Sequence, residues 1–261
     1  MSKPIYLVRL LALLALTLAA LPSRATESSD AEAQWWKQVG EKSRDKPAYA
    51  YVKDDPALPR VLLIGDSISI GYTPQVRELL KGKANVHRIP TNAGNTERGL
   101  DNIDAWLGEG NWDVIHFNWG LHDMKRLKDG KLDASMPVAI TPVPYHDNLV
   151  KLVTRLKETG ARLIWATTTP VPEGAKGRMP GEEVTYNMTA EGVMDELGVS
   201  VNDLHAYILP HLENHQRKAN VHFTDEGSAF LAKQVAKVIT DAIYTKTGAA
   251  ANQQASAEPG L

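Results

Sequence analysis

The sequence predicts an α/β protein, a three-layer α/β/α sandwich built on a five-stranded parallel sheet. Three observations predict it. From Val61 onward, short apolar runs alternate with helix-compatible segments, the pattern of successive βαβ units. Runs such as Val61–Ile64 are continuously apolar, as strands covered on both faces are. That first run ends abruptly in Gly65-Asp66-Ser67, a tight turn able to feed a strand into a helix. At 261 residues, 43% of them hydrophobic, the chain supports one good-sized domain and is short for two.

The elements follow in order. The first strand is Val61–Ile64, with a helix over Pro74–Leu80 behind it. The second strand is Asn85–Ile89. A helix over Thr96–Leu107 places Leu100, Ile103 and Leu107 on one face, the stripe a core-facing helix needs. The third strand is Asp113–Asn118. A helix over Tyr145–Thr159 is closed by Gly160, a C-cap residue. The fourth strand, Arg162–Thr167, leads into a Pro- and Gly-rich loop, Thr168–Glu182. A helix over Val184–Leu197, a short fifth strand Val199–Val201 and a helical piece after Asp203 come next. The last helix is Asp225–Lys246. Right-handed crossovers between these strands give the three layers.

The ends read differently. Lys3 and Arg9 precede the apolar run Leu10–Leu21, and Ser23-Arg24-Ala25 is a small-x-small signal. Residues 1–25 are therefore expected to be a secretory signal peptide cleaved after Ala25, placing the mature protein in the periplasm or outside the cell. The apolar run is too short to span a bilayer comfortably, and no other stretch is long enough. Residues 26–59 form a polar linker, a helix over Ala31–Ser43 with Trp35 and Trp36, and a proline-bearing lead-in from Pro47 to Pro59. The folded domain is expected over 60–246, with a disordered tail at 247–261. The formal net charge is −2, which offers no electrostatic footprint for nucleic acid. The chain has no cysteine, excluding disulfides, thiolate zinc sites and a cysteine nucleophile.

Four stretches fall after strands or before the last helix, where open α/β sheets place their ligands. They are Ser67, the loop Asn92-Ala93-Gly94-Asn95, the loop Asn118-Trp119-Gly120-Leu121-His122-Asp123, and Asn220-Val221-His222-Phe223-Thr224. A serine at a strand-to-helix turn has a free hydroxyl beside N–H groups that favour developing negative charge. It needs a base to become a nucleophile. Of the eight histidines, His222 has the best context, just before the last helix, which Thr224 would cap. The plainer alternatives are an N-capping Asp66-Ser67 pair and a surface histidine beside a cap.

These stretches resemble the blocks of the SGNH, or GDSL-type, esterases and lipases. Gly65-Asp66-Ser67-Ile68 is similar to the first block, Gly94 to the second-block glycine, and Gly120-Leu121-His122-Asp123 to the Gly-x-Asn-Asp block. Val221-His222-Phe223-Thr224 is similar to the last block. The resemblance spans about residues 60 to 245. It implies a flavodoxin-like SGNH hydrolase fold, with Ser67 as nucleophile and His222 as base. The oxyanion would be held by the backbone N–H groups of Ser67 and Gly94 and by the third-block side chain. No cofactor or metal is called for, and the substrate would be a small-molecule or polysaccharide ester, short-chain and foremost acetyl.

Two departures stand out. His122 replaces the family's asparagine; a ring N–H can donate as an amide does, or Asn118 could supply the donor instead. The family's acid, three residues before the histidine, is here Ala219. A Ser-His dyad, an orienting backbone carbonyl, or a displaced carboxylate such as Asp225 are the alternatives. Asp66 reads as a turn-stabilising carboxylate and Asp123 as a residue that caps or orients its loop. Trp119, Trp165 and Tyr186 are candidates for the cleft lining, with core packing the competing role for Trp165.

Two other functions compete. A metal-dependent phosphoesterase would use His116, His122, Asp123, His146 and His222. A non-catalytic carbohydrate-binding protein would have kept the fold after losing its acid.

Overall fold

The computed structural model describes the backbone of residues 24–255 and the side chains of residues 30–245. The expected leader thus lies outside the described residues, apart from Arg24 and Ala25. The five main strands are β1 (Arg60–Ile64), β2 (Asn85–Arg88), β3 (Val114–Phe117), β6 (Arg162–Ala166) and β7 (Ser200–Asn202). They form one parallel sheet in the order β2-β1-β3-β6-β7. The chain starts at β1, steps outward to β2, and returns across β1 to β3. That reversal makes the crevice between the carboxyl ends of β1 and β3 the switch point, where such sheets bind ligands.

Helices α2 (Ser67–Leu79) and α8 (Asp225–Ala255) pack together over one face of the sheet. Helices α3 (Thr96–Leu107), α4 (Pro142–Lys157) and α5 (Glu182–Glu196) form a row over the other. Leu63, Ile64, Ile115, Phe117 and Trp165 are fully buried between the layers, as continuously apolar strands require. Helix α1 (Arg24–Gln38) precedes the sheet, and Trp35 donates its indole N–H to Tyr49 O at 2.8 Å.

Several elements differ from their sequence-based bounds. Helix α2 begins at Ser67 rather than at Pro74. Asp66 caps it by accepting the Ile68 N–H at 2.9 Å, so the cap outweighs the Pro74 signal, and the proline sits within the helix. A small antiparallel hairpin, β4 (Leu127–Lys128) and β5 (Lys131–Leu132), was not anticipated. Its turn, Asp129-Gly130, has positive φ at both residues, the conformation of a two-residue hairpin turn and the reason for the Asp-Gly pair. Short helices α6 (Leu204–Ile208) and α7 (Leu212–His215) fill the stretch before α8. Helix α8 runs as far as Ala255, past the end expected at Lys246. No helix among the described residues is long and apolar enough to cross a membrane.

Candidate active site

The turn Gly65-Asp66-Ser67 is built from the end of β1. Arg88, at the end of β2, is fully buried and donates to the carbonyls of Gly65 and Asp66 at 2.8 and 3.2 Å and to Ser69 Oγ at 2.8 Å. Its other terminal nitrogen serves Ile89 O and Thr91 O. Both terminal nitrogens are engaged, while the buried Nε has no partner among the described residues; a buried cation is tolerated when most of its donors are met in this way, and here one side chain fixes the turn that presents Ser67. Ser67 is the first residue of α2, and its backbone N–H has no acceptor among the described residues.

The partner comes from the loop before α8. Gln216 and Phe223 form an antiparallel bridge, and Arg217 N donates to His222 O at 2.9 Å. Between them Ala219 takes a positive φ of 53°, a conformation costing a non-glycine residue roughly 1–2 kcal/mol. Thr224 caps α8 by accepting the Gly227 N–H at 3.0 Å. The result is a contact across 155 residues: His222 Nε2 lies 2.9 Å from Ser67 Oγ.

The tautomer follows from Asn220. Its Oδ1 accepts from the His222 backbone N–H at 3.0 Å and lies 2.7 Å from His222 Nδ1. The backbone donor identifies that atom as the amide oxygen, which only accepts. Nδ1 therefore carries the proton, and Nε2 turns its lone pair to the Ser67 hydroxyl. The orienting group is thus a side-chain amide one residue beyond Ala219, not a dyad without a partner, a backbone carbonyl or a displaced acid. Asp225 lies on the cleft wall instead. Burial holds the His222 pKa below the usual 6.5, with Asp66 raising it and Arg178 and Arg217 lowering it further.

That shift has a direct consequence. His222 is therefore neutral at pH 7 and free to take a proton, and any activity that uses it as a base is expected to rise through an inflection below pH 6.5 and stay level to pH 8. A pH–rate profile with its inflection above 6.5 would contradict this assignment.

The remaining candidates are placed as follows. Gly94, at φ +67°, follows a turn in which its N–H donates to Asn92 Oδ1 at 2.9 Å. His122 is half-buried in the loop after β3, forms no hydrogen bond among the described residues, and is kept neutral chiefly by burial. Gly120 makes that loop possible: at φ +153° a Cβ would fall 2.1 Å from Thr168 Oγ1. Asn118 does not present a free donor, since its amide N–H groups serve Ala166 O at 2.7 Å and Thr168 Oγ1 at 3.3 Å. Asp123 is buried and accepts from the Thr96 N–H and hydroxyl at 2.8 and 2.6 Å. It ties this loop to the start of α3, and burial raises its pKa to about 7.

Trp119, Trp165 and Tyr186 do not line the cleft; they are 1%, 0% and 3% exposed. Trp119 packs against Gly99 of α3, and Tyr186 donates to Ile140 O. The residues of the metal reading are not brought together: His116 is buried in β3 against Asn202, and His146 is exposed on α4 beside Asp147. Among the described residues no three His, Cys, Asp or Glu side chains could hold a metal ion. The cleft beside Ser67 and His222 has a volume of about 190 Å³ and is walled by Ile68, Ile70, Gly71 and Phe223.

No family model matches the sequence, and the search of curated proteins finds no match. Solved structures do match in shape. The acetyl xylan esterase AlAXEase superposes with a TM-score of 0.58 at 16% identity, over 69% of this chain and 99% of that one. A lipase/acylhydrolase from Enterococcus faecalis gives 0.58 at 18% identity, over 70% and 96%. A GDSL-like lipase from Parabacteroides merdae gives 0.57 at 14%, over 74% and 98%. The chain has the fold of the SGNH/GDSL hydrolases.

Proposed function

We propose that the protein is an exported serine esterase that removes short acyl groups, foremost acetyl, from an alcohol such as a carbohydrate hydroxyl. The observation that carries this reading is the line from Asn220 Oδ1 through His222 to Ser67 Oγ. Ser67 Oγ attacks the ester carbonyl carbon as its proton passes to His222 Nε2. The tetrahedral intermediate collapses, the C–O bond to the alcohol breaks, and the imidazolium returns that proton to the leaving oxygen. Water, deprotonated by His222, then releases the acid and restores the serine. The Ser67 N–H is free to meet the oxyanion; the Gly94 N–H does so by sharing or replacing Asn92 Oδ1. The neutral ring of His122 supplies a third donor. Acetylxylan and acyl esters are named for proteins of the same shape, and the leader-like residues 1–25 support export.

Acyl length tests the reading. A cleft of about 190 Å³ lies below the range of pockets that enclose drug-sized ligands. With p-nitrophenyl esters of increasing chain length, kcat/KM is expected to be highest for acetate and to fall by at least about tenfold at octanoate, the size of a few lost apolar contacts. A higher value for octanoate would overturn the short-acyl assignment, and no turnover of any chain length would overturn the esterase.

The role of His122 has its own signature. A donor that meets the oxyanion acts mainly in the transition state, and losing one costs roughly a hundredfold in kcat. His122→Ala is therefore expected to lower kcat by about that factor with KM little changed, and His122→Asn to recover part of it. Near-normal kcat in both variants would mean that His122 only packs its loop.

A further inference from the structure

Arg178 lies in the long loop between β6 and α5 and is 7% exposed. Its Nε donates to Leu121 O at 2.6 Å, which sets the guanidinium beside the loop that carries His122. Among the described residues neither terminal nitrogen has an acceptor, and no carboxylate forms an ion pair with this side chain. Neither terminal nitrogen is buried without a partner, so this edge of the guanidinium is open to solvent, with Asp66 the nearby opposite charge. Arg88, by contrast, is 1% exposed and has both terminal nitrogens engaged by carbonyls. The charge of Arg178 acts on His122, on His222 and on the nearby Asp66.

Two further cations act on the same pair of histidines. Lys125 acts on His122, and Arg217 is exposed on the wall of the cleft that holds Ser67 and His222. Two carboxylates oppose them. Asp66 is buried beneath the nucleophile and engaged in capping α2, and Asp225 stands on the cleft wall. Of the charged side chains that act on His122 and His222, three are cations, Arg178, Lys125 and Arg217, and one is a carboxylate, Asp66.

We propose that Arg178, reinforced by Lys125 and Arg217, is an anion-binding subsite beside the scissile ester. The preferred substrate is then the ester of an acidic alcohol, a sugar with a carboxylate or sulfate near its acylated hydroxyl. The free edge of a guanidinium suits the paired oxygens of either group. This inference rests on the esterase reading above and names its substrate class.

The test compares phenyl acetate, 4-acetoxybenzoate and 4-acetoxybenzenesulfonate on the full-length protein, each rate divided by that of the same ester with hydroxide. At low salt, at least one anionic probe is expected to show a kcat/KM about tenfold or more above phenyl acetate, with the advantage shrinking as NaCl is added. The probe that gains tells carboxylate from sulfate. Arg178→Gln is expected to lower the anionic-to-neutral ratio at least about fivefold, with Arg178→Lys keeping part of it. Arg217→Gln, at an exposed position, lowers the ratio by about twofold and serves if Arg178→Gln does not fold. Equal ratios for the anionic and neutral esters, or a ratio indifferent to salt and to these variants, overturn the subsite and leave the esterase standing. Turnover of none of the three esters overturns both.

Discussion

Ser67→Ala is expected to lower kcat for an acetyl ester by about 10⁴-fold or more, the scale on which removing a nucleophile acts. The far-UV spectrum and the midpoint of thermal unfolding should change little. Ser67 Oγ has one partner, His222 Nε2 at 2.9 Å, and its backbone N–H bonds nothing among the described residues. The turn is held by Arg88 and by the Asp66 cap, and both survive the substitution. Steady-state kinetics beside circular dichroism check the two halves together. Activity within tenfold of the parent would remove Ser67 from the chemistry.

Asn220→Ala is the second large effect. It deletes the atom that receives both N–H groups of His222. The ring is then free to turn and to populate the tautomer that points a proton at Ser67. In the serine-protease triad a wrong tautomer costs about 10⁴-fold. His222 is only half-buried, so water can take over part of the orienting role. The expected loss in kcat is therefore smaller, roughly 10²- to 10³-fold. Asn220→Asp gives a sign rather than a loss. A carboxylate against Nδ1 stabilises the imidazolium and raises the His222 pKa, so the acid inflection of the pH–rate profile moves up. An unchanged inflection would mean that residue 220 does not set the ring's protonation.

What could be read from the sequence follows from what is local. Helix α3 has the expected bounds, Thr96–Leu107, because a cap, a periodic apolar face and a glycine stop all agree there. The convergence of Ser67 and His222 was legible because both stand at the ends of recognisable elements on one sheet edge. Asn220 does not stand out in the sequence because it lies one residue beyond Ala219, where the family places its acid, and a side-chain amide is not among the orienting groups weighed. Its signal, an amide two residues from the histidine, was in view. Arg88 and Arg178 gave no local signal at all. Each is one arginine in a strand or loop, and only the tertiary fold shows which carbonyls they meet. Trp119 misled for the opposite reason. It sits in a loop of the site, yet Gly99 opens the space in α3 that buries it.

Fluorophosphonate labelling followed by peptide mapping tests the central claim most directly. The reagent reacts far faster with a serine whose proton is removed by a placed base than with an ordinary hydroxyl. One phosphonyl adduct per chain on the peptide that contains Ser67, absent in Ser67→Ala and slowed about a hundredfold or more in His222→Ala, is the predicted result. No adduct on the folded protein, or an adduct on Ser69 or Ser228 while Ser67 stays unmodified, would contradict it.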